Sequence, residues 1–367
     1  MSTKAKRVDK MFFILTLLLL AAGFFIFSSA SMGLLAREGI SYSNVALKQL
    51  FIGFGLGGIT LITAARIPYK FWQKYAFYFF LVSIVLCICV FLPKIGFSHG
   101  GASRWIHIGP YTFQPSEMLK LGAVIYFAAW ITAVKDKITT FKWGALPLFI
   151  ILFICGALIL KQPDTGTFMV IFASLLAMFV SAGGKWRYVF LLFVGAIAGI
   201  ALLALMRPYL MGRILTFIDP SRDALGSGYQ IQQSMIAIGS GGVFGRGFGQ
   251  SIQKFNFLPE PIGDSIFAVA SEEFGFIGGV LLIVLFLVYA MRGFKIAARI
   301  PDTFGMTLCV GLVTIIIAQA FINMGAMIGV IPLTGIPLTF VSHGGSAMLF
   351  AMAEAGIILS ISKFQKT

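Results

Sequence analysis

Apolar residues do not alternate with polar ones along this chain; they come in long uninterrupted runs joined by short polar links. A run of ~20 apolar residues is the length a helix needs to cross a ~30 Å hydrocarbon core. Runs of that kind predict membrane spans near 11–30, 45–65, 75–95, 115–134, 144–161, 165–182, 187–206, 265–291, 303–330 and 340–362. A transmembrane barrel would instead show short segments of strict alternation. The pattern therefore predicts an all-α polytopic membrane protein of about ten transmembrane helices, a single domain over residues 1–367. The first run follows basic residues as a signal peptide does, but further spans follow at once, so it reads as a retained span. Only Lys161, Gln162, Pro163 and Asp164 separate the fifth and sixth spans, which predicts a tight turn.

The one sizeable link is 207–264, between the seventh and eighth spans, and it is long enough to hold structure of its own. Composition sharpens the picture. The chain is 59% hydrophobic and only 11% charged, whereas soluble domains carry about 25% charged residues. The net charge of +15 suggests a nucleic-acid partner until its placement is read. Basic residues cluster in alternate links, at Lys4 to Lys10, Arg66 to Lys74, Lys135 to Lys142, Lys185 and Arg187, Arg292 to Arg299, and Lys363 and Lys366. That is an orientation signal, not a continuous basic face. It puts those links and both termini in the cytoplasm and the 207–264 loop on the extracytoplasmic side, with no nucleic-acid partner. The four cysteines lie inside apolar runs and read as packing residues, without a disulfide framework.

Ionisable groups inside spans are costly, so each is a functional candidate. Arg104 in Gly101-Ala102-Ser103-Arg104-Trp105 precedes Gln114-Pro115-Ser116-Glu117 and Lys120. Glu117 and Lys120 are three apart on a helix that Pro115 can start, so they share a face. They form either an internal ion pair or, with Arg104, a binding site for an anion such as a diphosphate. Asp164 either caps the sixth span or shapes a substrate cavity. Asp264 stands where the long loop re-enters the membrane, ahead of Glu272 and Glu273. At 100° per residue Glu272 would lie about 80° from Asp264 and Glu273 opposite it, so Asp264 and Glu272 are expected to line one cavity. A carboxylate at an apolar boundary is the kind of group that becomes a general base. Between Asn323 and Ser346, Pro332, Gly335, Pro337, Gly344 and Gly345 break the backbone, with Ser342 and Ser346 as polar candidates; such backbone needs protein or a wet cavity around it. Glu354 is expected to pair with a basic or hydroxyl group. His99, His107 and His343 are too scattered to suggest a metal cage.

Taken together these blocks resemble the SEDS family of cell-wall glycan polymerases, the FtsW/RodA/SpoVE group. The matching residues are Gly101 to Trp105, Gln114 to Lys120, Gln162 to Gly166, Asp219-Pro220, Gly226 to Gln230, Gln233 to Gly242, Gly245-Arg246-Gly247, Leu258-Pro259-Glu260, Asp264, Glu272-Glu273, and Asn323 to Ser346, in the family's order. Thr112, Thr339 and His343 depart from its usual residues. The resemblance implies a peptidoglycan glycosyltransferase in the bacterial cytoplasmic membrane that polymerises lipid II into β-1,4 strands and releases undecaprenyl diphosphate. It implies Asp264 as the catalytic base, with Lys120, Arg104, Glu117, Arg213, Arg246, Glu272, Ser342 and Ser346 as substrate-binding candidates. The Leu258-Pro259-Glu260-Pro261 block is most like the FtsW branch, which implies cell division. It also implies a class B penicillin-binding transpeptidase as partner, with other membrane proteins of the division complex. A divalent cation (Mg or Mn) comes with the resemblance, though the sequence displays no ligand set for one. Two alternatives stay open, a lipid II flippase and a RodA-type polymerase of cell elongation.

Overall fold

The computed structural model describes residues 8–36, 42–92, 96–99, 102–109, 111–206, 208–223 and 226–366. The basic residues before position 8, Gly101 and Arg207 lie outside them. Among the described residues nine helices are long and apolar enough to cross a membrane, and Thr165–Ser181 is a shorter apolar helix beside them. The helices are α1 (Lys10–Ser31), α2 (Val45–Arg66), α3 (Lys70–Cys89), α4 (Pro115–Val134), α5 (Leu146–Lys161), α6 (Thr165–Ser181), α7 (Trp186–Met206), α8 (Pro208–Ile218), α9 (Ser227–Ser240), α10 (Ile266–Ala298), α11 (Thr303–Met327) and α12 (Gly345–Ser362). The fold is that of a multi-pass helical membrane protein.

Local chemistry sets several boundaries. Asp9, Asp164 and Asp302 accept hydrogen bonds from backbone amides in the first turns of α1, α6 and α11, and Pro115 starts α4. The third helix begins at Lys70, five residues before the expected start, with Phe71 and Trp72 in its first turn and the basic groups of Lys70 and Lys74 able to reach back to the interface. The last span starts at Gly345; the 17 residues from 328 to 344 run as irregular backbone, as the prolines and glycines there predict.

One feature was not foreseen. Gly96–His99 (β1), Ala102–Ile108 (β2) and Tyr111–Phe113 (β3) form a three-stranded antiparallel sheet in the order β1-β2-β3. Strand β2 carries Arg104. The loop 207–264 holds structure of its own, α8 and α9, as its length suggested.

The core is built around α12, which is buried along nearly its whole length, while α7 lies at the rim with most of its side chains exposed. Hydrophobic transfer cannot drive helices together in lipid, so close packing of small residues does that work. A β-carbon on Gly356 of α12 would stand 2.5 Å from the Leu61 carbonyl oxygen of α2. One on Gly311 of α11 would meet Met178 of α6 and Val124 of α4 at 2.6 Å each.

Helix α10 contains a break. Gly275 sits at φ 67°, ψ −167°, a conformation open to glycine and to few other residues. The segment before it, 266–274, is almost wholly buried in protein; the segment after it is lined with exposed apolar side chains.

Candidate functional site

Asp264 lies in the turn that ends the long loop, two residues before α10. Its neighbours are stitched to the irregular stretch 328–344. The Asn323 side-chain amide on α11 donates to the carbonyls of both Asp264 and Ile336 at 2.8 Å. Ser342 Oγ donates to the Gly263 carbonyl at 2.7 Å and accepts from the Leu338 amide at 2.7 Å. The His343 amide donates to the Ile262 carbonyl at 2.8 Å. These bonds satisfy non-helical backbone that lipid could not.

The space around Gly335 is where charge converges. Gly335 has φ 71°, and a β-carbon there would stand 3.4 Å from Asp264 Oδ2, 3.7 Å from Arg213 Nη2 and 3.9 Å from Arg104 Nη1. Four distant parts of the chain thus meet at one point: β2, α8, the end of the long loop and the 332–337 stretch. Arg104 is buried and its guanidinium donates to the carbonyls of Gln162, at 3.1 Å, and Pro163. Arg213 Nη1 donates to the Leu333 carbonyl at 2.8 Å. Backbone contacts therefore hold both guanidiniums in place while each brings one nitrogen to the space beside Gly335 that Asp264 also borders. Burial, and next the negative charge of Glu260, push the Asp264 carboxyl up to about 6; Arg104 and Arg213 oppose that rise and Asp164 adds to it. A carboxylate in that range is poised to take a proton near neutrality.

A second polar cluster lies deeper. Lys120 and Glu117 are both buried and form an ion pair at 2.9 Å, and Lys120 also donates to Gln319 Oε1. The internal ion pair that their spacing allowed is present. Gln319 Nε2 in turn donates to the Pro337 carbonyl at 3.1 Å. Gln319 and Asn323 are four apart on α11, so one helix face reads the adjacent carbonyls of Pro337 and Ile336 and links the Lys120 cluster to Asp264. Two amides at that spacing in an apolar span were the signal for this link; Gln319 was missed. Glu354, expected to find a basic or hydroxyl partner, is buried in α12 with its Oε1 making no hydrogen bond among the described residues. Asp164 caps α6, accepting from the Thr167 amide at 3.1 Å and its hydroxyl at 2.9 Å.

Glu272 and Arg246 are placed elsewhere. Glu272 has no exposed surface and accepts from Ser251 Oγ at 2.5 Å, the Ile252 amide at 3.0 Å and the Gln253 amide at 3.2 Å, with Arg246 Nε at 3.4 Å. Glu273 pairs with Lys254 at 2.7 Å and accepts from Ser29 Oγ at 2.6 Å. Both carboxylates thus clamp the loop at 245–254, and the expectation that Glu272 shares a cavity with Asp264 is corrected. The helical-wheel count behind it fails because Asp264 lies in a turn, before the helix begins. Ser342 is a clasp between two loops through both its hydrogen bonds, which leaves the substrate-binding role expected of it without support. Ser346 sits partly exposed in the first turn of α12.

Among the described residues no group of three or more His, Cys, Asp or Glu side chains is placed to hold a metal ion. The surroundings of Asp264 bring two guanidiniums near it, which suits an anion better than a cation.

Residues 9–367 match the FtsW/RodA/SpoVE family, described as cell cycle proteins. The chain is 37% identical over its whole length to stage V sporulation protein E of Bacillus subtilis, which it also covers completely. It is 38% identical over 362 residues to a protein of Halothiobacillus neapolitanus named "Probable peptidoglycan glycosyltransferase FtsW", covering 97% of this chain and 86% of that one. A chain of the structure "Structural coordination of polymerization and crosslinking by a peptidoglycan synthase complex" superposes with a TM-score of 0.81 at 24% identity, covering 98% of this chain and 99% of the other. The crystal structure of rod shape determining protein RodA of Thermus thermophilus gives 0.72 at 23% identity, covering 98% of both. The two structural likenesses speak to the fold; with the match from residue 9 to the last residue and the full-length relatives beside them, the chain belongs to the FtsW/RodA/SpoVE family.

Proposed function

We propose that this protein is a peptidoglycan glycosyltransferase that polymerises lipid II, with Asp264 as general base. The observation that carries the reading is the convergence of Asp264, Arg104 and Arg213 on the space around Gly335. Asp264 takes the proton from the acceptor sugar's 4-hydroxyl as that oxygen attacks the donor's anomeric carbon. The bond to the lipid diphosphate breaks with inversion, and Arg104 and Arg213 balance the charge that develops on the leaving group. Two guanidiniums fixed by backbone carbonyls need little reorganisation for that task. An apolar groove of about 820 Å³ between α6 and α7, lined among others by Phe168, Phe172, Val189 and Phe193, suits the polyprenyl tail of such a substrate. Phe168 lies one turn from Asp164, so the groove's upper end is near the charged centre.

The family and the FtsW-named relatives support a role in cell division, with a class B penicillin-binding transpeptidase crosslinking the strands. In this reading the membrane is the bacterial cytoplasmic one, both termini are cytoplasmic, and other division-complex membrane proteins complete the assembly. The test is polymerisation of labelled lipid II by purified protein, with and without the transpeptidase, for the native chain and Asp264→Asn. Glycan strands from the native chain and none from Asp264→Asn are expected. Transfer of lipid II across vesicle membranes without polymerisation would replace this reading with the flippase.

A further inference from the structure

The break in α10 orphans four backbone groups, and a single turn of the long loop takes all of them. In an unbroken helix the amides of Phe276 and Ile277 would bond to the carbonyls of Glu272 and Glu273. Instead they donate to the carbonyls of Gly242 and Val243, at 2.8 and 3.2 Å. The carbonyls of Glu272 and Glu273 accept from the amides of Arg246 and Gly247, at 3.0 and 2.9 Å. The turn 242–247 is thus a wedge seated in the helix, and its depth is that of the break.

Two helices measured from one level, the Asp9–Arg292 pair, give that depth. At one end of α10, Arg292 pairs with Asp9, the N-cap of α1, at 2.6 Å. From Asp9 the antiparallel helix α1 climbs to Ser29, which bonds to Glu273. Twenty residues at 1.5 Å each make that climb ~30 Å, the thickness of the hydrocarbon core. On α10 itself the apolar stretch from Phe276 to Met291 measures only ~24 Å by the same rise. Phe276 therefore lies at or just inside the hydrocarbon boundary, and the wedge bonded to it lies there too.

At that level the wedge points its largest side chains outward. Phe244 is 82% exposed, Val243 56% and Phe248 48%, next to Phe276 at 70% on the lipid-facing helix. The apolar patch is continuous with the wall that α10 shows to lipid. Between the two rings Arg246 has its side chain 37% exposed while it neutralises buried Glu272. An aromatic pair flanking a cation at this depth matches the acyl and headgroup layers in order.

We infer that the turn 242–248 is an interfacial membrane anchor: Phe244 and Phe248 enter the acyl boundary of the bilayer and Arg246 lies at headgroup level. The partner is the lipid surface itself. The inference does not rest on the proposed reaction.

A nitroxide on single cysteines tests this in lipid nanodiscs, with the native chain carrying Cys89→Ala; Cys87, Cys155 and Cys309 are fully buried. Phe244→Cys and Phe248→Cys are compared with Leu281→Cys in the lipid-facing wall and Lys137→Cys in an exposed polar link. Collision with oxygen should exceed collision with a water-soluble nickel chelate several-fold at 244 and 248, as at 281, and the reverse should hold at 137. Dominant nickel collision at 244 and 248 puts the turn in water, and weak collision with both reagents puts protein over it; either overturns the inference. If one of the two variants fails to insert, the other alone decides.

Discussion

At Asp264 the requirements of activity and of stability oppose each other. The group binds its proton more tightly folded than unfolded, with its carboxyl at about 6 against a usual 3.8. The protonated form thus adds stability that is complete below about 4 and lost as pH rises through about 6. Catalysis needs the ionised form. Polymerisation is expected to fall as pH is lowered through 6, and a rate profile flat from pH 7 to pH 5 would argue against Asp264 as the base. Asp264→Asn should lower the rate by about 10²–10⁴ while leaving thermal unfolding at neutral pH unchanged or raised. At Lys120 the balance differs, because Lys120 is buried between Glu117 and Gln319. Removing one partner of a buried pair costs about 3–5 kcal/mol. Lys120→Ala should therefore lose activity and melting temperature together, in detergent-solubilised protein, with Lys120→Arg milder in both.

Gly335 and Asn323 show how elements are made to meet. Asn323 joins α11 to two loop carbonyls at once, so Asn323→Leu leaves both without that donor and lets the Asp264 turn move. About 1–3 kcal/mol of stability is expected to go for each buried group left unsatisfied, together with a loss in kcat. Gly335→Ala forces a side chain into left-handed backbone, at about 1–2 kcal/mol, and puts a methyl in contact with Asp264 and Arg213. The rate of polymerisation should fall further than stability does. A variant with full activity would show that the space beside Gly335 is not where substrate sits.

The sidedness of the whole molecule is tested by thiol labelling. Gln232 on α9 and Lys137 in a basic link are both exposed and, by the charge pattern, on opposite sides. Cysteine replacing Gln232 should react with a membrane-impermeant reagent in intact protoplasts. Cysteine replacing Lys137 should react only after the membrane is opened. The opposite pattern would put Asp264 on the cytoplasmic face and remove an extracytoplasmic polymerase from consideration.

Span number, the irregular stretch before α12, the cap at Asp164 and the Glu117–Lys120 pair all follow from neighbours in sequence. Each depends on run length, on proline and glycine, or on spacing along one helix, and those are local properties. Sequence by itself also marked Asp264 and Arg104 as polar groups out of place, and the family resemblance added Arg213. It could not bring them together, because their meeting at Gly335 depends on how four separate segments pack. It misplaced Glu272 for the same reason: a wheel drawn through Asp264 assumes a helix that has not yet begun there. The Gln319–Asn323 bridge and the wedge at Gly275 exist only through long-range hydrogen bonds. Local pattern is silent about such partners, since a buried amide or carbonyl is satisfied by whatever the fold carries to it.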